Sequence, residues 1–140
     1  MKLKKIFSAG NAVLGLLLAL VPFCLAPVCS SLSAGGGHMK CWYSAVFITA
    51  VGAMLCAASL VSLLRGGRGV FTVLLLGTAA AVAVWLAPDG VIPVNGCGWC
   101  MAPAHACRAL TRPLVLKAAA ALALLDLGGL TLLFIKGGSR

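Results

Sequence analysis

Four long apolar runs, separated by short polar stretches, dominate the chain: about 6–25, 44–64, 70–86 and 114–135. Each is near the ~20 residues that a helix needs to cross a bilayer, and the third is the shortest. Arg65-Gly66-Gly67-Arg68-Gly69 joins the second and third runs as a tight turn, which makes those helices antiparallel neighbours. The pattern predicts an all-α integral membrane four-helix bundle in up-down-up-down order, one domain over 1–140, with outer loops at 26–43 and 87–113. Small residues recur at spacings of three and four on the second run (Ala45, Thr49, Gly52, Cys56, Ser59, Leu63) and on the fourth (Ala119, Ala123, Asp126). Such stripes let helix backbones approach closely in lipid, so they read as packing faces.

Composition supports the membrane reading. Hydrophobic residues make up 62% and charged residues 9% of the chain, against about half and about a quarter in soluble domains. A chain so poor in polar residues cannot cover a surface in water. The net charge of +9 would suggest nucleic acid in a soluble protein. Here the cations flank the apolar runs, where they anchor and orient helices, and nucleic acid is excluded as a partner.

Orientation follows from those cations. Lys2, Lys4, Lys5, Arg65, Arg68, Lys136 and Arg140 share one side, and Lys40, Arg108, Arg112 and Lys117 the other. Cytoplasmic loops carry the excess of Lys and Arg, so both termini are expected inside, in a bacterial or archaeal cytoplasmic membrane. Trp42, Tyr43 and Trp85 fall at the outer ends, and Phe7, Phe71 and Phe134 at the inner ends, as interfacial belts do. Met1 to Ala26, with its basic head and apolar middle, has a second reading as a cleaved signal peptide. Cleavage would leave three spans.

The outer loops hold the chemistry. Six of the seven cysteines lie at or near them: Cys24, Cys29, Cys41, Cys97, Cys100 and Cys107, with His38, Met39, Met101 and His105. Cys56 lies mid-span, where a thiol acts as a small hydrophobe. Three readings fit. Structural disulfides are expected of cysteines on the oxidising side of a membrane, and six cysteines allow fifteen pairings. A soft-metal site is the second: thiolate, thioether and imidazole suit Cu(I), and thiolate with imidazole suits Zn. Its candidates are His38, Met39, Cys41, His105 and Cys107. Thiol–disulfide exchange is the third, at the CxxC formed by Cys97 and Cys100, as in quinone-coupled four-helix oxidoreductases.

Asp126 falls near the centre of the fourth run. An acid at mid-bilayer costs at least ~2.5 kcal/mol, so it should face the bundle interior or carry a proton. It reads either as a neutral carboxyl hydrogen-bonded between helices or as a proton or ion relay; Cys56, Ser59 and Thr78 lie at similar depth. Asp89, between Pro88 and Gly90, is turn chemistry. Each loop also has Ala-Pro near its start and a His just before its last Cys, a weak internal echo.

Four pieces of the loops carry a family resemblance: Pro27-Val28-Cys29, Gly37-His38-Met39-Lys40-Cys41, Gly96-Cys97, and Cys107 followed by Thr111 and Pro113. In these the chain resembles a family of small four-span prokaryotic membrane proteins catalogued as a domain of unknown function. The resemblance implies a cluster of Cys29, Cys41, Cys97 and Cys107, with Cys100 an addition. It also implies an accessory role beside ABC exporters of the macrolide type. Trp42 and His105-Ala106 stand where family members often have His and Met-Pro. The expected protein is a non-enzymatic accessory of the membrane whose outer cluster forms disulfides or binds copper or zinc. Its partners would be lipid, an ABC exporter or further copies of itself. The alternative is a membrane thiol oxidoreductase.

Overall fold

In a computed structural model the described residues of the chain form four α-helices: α1 (Lys2–Leu20), α2 (Lys40–Leu64), α3 (Val70–Leu86) and α4 (Arg112–Gly137). The residues described are 2–29, 36–38, 40–88, 98–100 and 107–137. Two short π-helical turns extend the helices at one end: Val21–Leu25 follows α1, and Cys107–Thr111 leads into α4. Proline accounts for both. Pro22 and Pro113 have no N–H to donate, and their rings press on the carbonyl one turn back, so the backbone widens rather than breaks. Ala26 N then donates to Val21 O at 2.9 Å, five residues back.

Three helical stretches, Lys2–Leu25, Lys40–Leu64 and Cys107–Ile135, are long and apolar enough to cross a membrane. The 17-residue α3 is apolar but shorter. The distribution of side chains is the reverse of a soluble protein's. Ser8, Asn11, Ser44, Ser59, Ser62, Thr111 and Asp126 are buried, while Ile6, Val13, Leu64, Leu124 and Ile135 are each more than 60% exposed. Water would penalise that apolar outer surface, and a hydrocarbon surround would not. This is a multi-pass membrane protein.

Helix α2 starts at Lys40, four residues before the expected start, so Cys41, Trp42 and Tyr43 lie on a helix and not in a loop. The π turn likewise places Cys107 at the head of a helical stretch. Both shifts give the cysteines rigid supports.

The small-residue stripe of α2 packs on α1. Gly52 meets the backbone of Gly15 and Ala19, Thr49 Oγ1 donates to Ala19 O at 3.2 Å, and Ser8 Oγ donates to Ser59 O at 2.9 Å. Interhelical bonds of this kind replace the hydrophobic effect, which gives helices no reason to associate in lipid. At residues 65–69, Gly66, Gly67 and Gly69 take positive φ, and Gly67 lies against Lys4 at the start of α1. Nearby, Phe71 and Phe134 meet edge to face at 5.8 Å between ring centres. The core between the helices is built on Leu18, Ile48, Leu55, Val84, Val115 and Leu122.

Candidate metal centre

Four cysteines converge at the end of the bundle where α1 finishes and α2 and α4 begin. The sulfurs of Cys29, Cys41, Cys100 and Cys107 all lie within 4.8 Å of one another. Cys29 Sγ and Cys107 Sγ are 3.9 Å apart. Cys41 and Cys107 are fully buried; Cys29 and Cys100 are partly so. Among the described residues no two cysteines are joined by a disulfide.

Each thiol has its own support. Cys41 sits in the first turn of α2 and Cys107 opens the π turn before α4. Cys29 follows the π turn that ends α1, where Val28 N donates to Pro22 O at 3.0 Å. Thr111 Oγ1 donates to Ala26 O at 2.7 Å and so ties the Cys107 turn to the Cys29 segment. Cys100 arrives from the Gly98–Cys100 segment, which Ser44 clamps. The Ser44 hydroxyl accepts from Gly98 N at 2.7 Å and lies 3.0 Å from Gly98 O, to which it donates. Trp99 packs on the main core, and Arg108 Nη1 donates to Cys100 O at 3.5 Å. Apolar neighbours Val28, Ala45 and Trp42 close around the sulfurs.

The spacing suits one metal ion. A tetrahedral centre with Zn–S bonds of ~2.3 Å holds its sulfurs about 3.8 Å apart, and the Cys29–Cys107 pair is at 3.9 Å. Four sulfurs in tetrahedral reach are the set that zinc or iron favours. The site is dry enough to make a lone thiolate costly: burial pushes the Cys100 thiol above its ordinary range, and its contact with Cys107 adds to that. A cation supplies the charge that such a pocket otherwise lacks.

The structure distributes the sequence-level candidates unevenly. Cys29, Cys41 and Cys107 come together. Cys100, taken from the sequence as an addition, has its sulfur in the same group. Cys97, Met39 and His105 lie outside the described residues. His38 is not in the group of sulfurs; its ring is exposed and stacks on Trp42 at 4.7 Å. Cys24 is exposed, and Cys56 lies in α2 with its backbone against Gly15. Sequence reasoning missed Ser44, Thr111 and Trp99 as supports of the cluster. For Ser44 and Trp99 the signal was present only as a polar or aromatic residue next to a cysteine-bearing segment, while Thr111 was among the residues that carry the family resemblance.

Asp126 is fully buried, and its partner is Asn11 of α1, whose Nδ2 donates to Asp126 Oδ1 at 2.7 Å. The residues singled out by depth turn elsewhere: Ser59 Oγ donates to Leu55 O and Thr78 Oγ1 to Leu74 O, each within its own helix.

Helices with an apolar exterior and a group of four thiols, two of them fully buried, at one end define a membrane protein with a candidate tetrathiolate centre. The family model described as a domain of unknown function (DUF4418) matches residues 11–133, and the chain belongs to that family. The matched stretch takes in all four clustered cysteines, Asn11 and Asp126. No curated protein and no solved structure matches the chain.

Proposed function

We propose that this protein holds one soft metal ion, zinc before copper(I), in a tetrathiolate of Cys29, Cys41, Cys100 and Cys107 that fastens the extracytoplasmic end of a four-span bundle. The observation that carries this reading is the mutual approach of all four sulfurs to within 4.8 Å. Zinc fits four equivalent thiolates, while copper(I) is content with fewer and accepts Met or His. The helices run up-down-up-down, and the cysteine end faces outward with both termini inside.

Charge supports that orientation. Lys40 and Arg108 each adjoin a clustered cysteine in sequence, and Arg112 begins α4. A divalent ion with four thiolates carries a net charge of about −2, so cations gather there for a local reason. With these set aside, the excess of Lys and Arg at the opposite end is larger and marks the cytoplasmic side.

The role is structural and accessory rather than enzymatic. A thiol that attacks disulfides needs a lowered pKa and access to its partner. Burial pushes the Cys100 thiol up, which disfavours it as the attacking thiolate. The family resemblance favours an ABC exporter as partner, with the metal-fastened loops presented at the outer face.

Elemental analysis of protein purified in detergent without chelator tests the proposal, with Cys100→Ser and Cys24→Ser prepared alongside. One zinc per chain, retained in Cys24→Ser and lost in Cys100→Ser, is expected. Metal-free protein whose four clustered thiols are paired as disulfides would overturn it.

A further inference from the structure

At mid-bundle, away from the cysteines, Asn11 of α1 and Asp126 of α4 meet face to face against Gly77 of α3. Both side chains are fully buried. Asn11 Nδ2 uses both its hydrogens, donating to Asp126 Oδ1 at 2.7 Å and to Phe7 O at 3.2 Å. That fixes which way the amide points. Asn11 Oδ1 and Asp126 Oδ2 are then the buried side-chain oxygens without a hydrogen-bond partner among the described residues. They converge on one spot: a Cβ placed on Gly77 would collide with Asp126 Oδ2 and lie 2.6 Å from Asn11 Oδ1. Only glycine leaves room for them.

Two acceptors left facing the same place cannot satisfy each other. An ionised carboxylate there would also be an uncompensated charge at membrane depth. We infer that Asn11 and Asp126 form an intramembrane proton-binding site, in which a proton on Asp126 Oδ2 is donated to Asn11 Oδ1. The result is a closed acid–amide ring. Amide N–H meets one carboxyl oxygen, carboxyl O–H meets the amide oxygen, and no polar atom is left over.

A metal cation is the other occupant that two oxygens could attract. Sodium, like other hard cations, needs several oxygen ligands, and here only these two are without partners among the described side chains. The proton needs no further donor and no additional volume. From α3 the residue facing the pair is Gly77, which has no side chain; from α1 it is Asn11 itself. The titratable residue at mid-span of α2, Cys56, packs its backbone on Gly15 of α1 instead. The Asp126 carboxyl is fully buried, and its hydrogen-bond partner among the described residues is Asn11. The ring joins α1 to α4 with α3 pressed on it. Its contribution to stability is therefore present while the proton is bound, and is lost as pH rises through the proton's release.

The chain suits a direct test, because its two acidic side chains are Asp89 and Asp126. In an Asp89→Asn background, infrared spectroscopy of the detergent-purified protein should show a protonated-carboxyl carbonyl band at neutral pH. That band should disappear in Asp126→Asn. The substituted amide can donate to Asn11 Oδ1 without any proton, so Asp126→Asn should fold, and the unfolding temperature of the parent should fall relative to that of Asp126→Asn as pH is raised. Absence of the protonated-carboxyl band at neutral pH in the folded Asp89→Asn protein would overturn the inference. So would an unfolding temperature that responds to sodium at constant ionic strength and not to pH, which would assign the site to a cation. The infrared measurement on the parent decides the matter even if the variant does not fold.

Discussion

Gly52→Ala is the most exacting perturbation of the α1–α2 crossing. The added Cβ would lie 2.6 Å from Gly15 O, 2.7 Å from Ala19 N and 3.1 Å from Leu18 C. All three are backbone atoms, so no side chain can rotate away. Carbon needs ~3.5 Å from its neighbours, which leaves the approach to Gly15 O short by about 0.9 Å. The helices must separate by that order, and overpacking of this kind costs about 1–3 kcal/mol. Separation also stretches the Thr49–Ala19 and Ser8–Ser59 bonds that flank the crossing, each worth about 0.6 kcal/mol in a membrane. The expected loss is ~3 kcal/mol. A matched control is Gly128→Ala, where the new Cβ meets nothing within 4 Å. That substitution should be neutral, or stabilising by a few tenths of a kcal/mol, since alanine is the better helix former. Unfolding by denaturant in detergent micelles, followed by circular dichroism, compares the two. Because α1 leads to Cys29 and α2 begins beside Cys41, Gly52→Ala should weaken metal binding as well. Equal stabilities for the two variants, within ~0.5 kcal/mol, would refute the claim that backbone contact at Gly52 sets the crossing.

Three further outcomes are expected. Ser44→Ala should cost ~1–3 kcal/mol, because it leaves the Gly98 N–H without its acceptor. Zinc affinity should fall about 10–100-fold, as for other residues that orient metal ligands; competition with a zinc chelator dye measures it. Thr111→Val, which keeps shape and removes the bond to Ala26 O, should cost ~1 kcal/mol in thermal unfolding, with a smaller loss of zinc affinity than Ser44→Ala. Metal binding should strengthen as pH rises from about 6 to 8, because thiols must lose protons to coordinate and burial makes the Cys100 thiol hold its proton more tightly. A zinc affinity that did not change over that range would exclude thiolate coordination.

Much of the helical layout was visible in the chain because lipid imposes a one-dimensional rule. A spanning helix must be apolar over its whole length, whatever it packs against. The bounds of α3, Val70–Leu86, are those read from the pattern. The ends were harder. Helix α2 begins at Lys40 and the stretch leading into α4 at Cys107, inside segments expected to be loops, because polarity near a membrane surface does not distinguish loop from exposed helical turn. Asp126 was recognisable as buried and polar from its depth alone. Its partner was not, since Asn11 sits 115 residues away in sequence and depth offers several candidates.

The sequence by itself determined that the chain is a helical membrane protein, which side chains are chemically capable of holding a metal, and that its one mid-span acid needs company. Those properties belong to residue types and to runs along the chain. Only the tertiary structure decided that Cys100 stands with Cys29, Cys41 and Cys107, that Ser44 and Thr111 hold the segments that bear them, and that Gly77 makes room for Asn11 and Asp126. Such choices depend on distances between residues remote in sequence. A tetrathiolate tolerates errors of a few tenths of an ångström, and spacing along a chain carries no information at that scale.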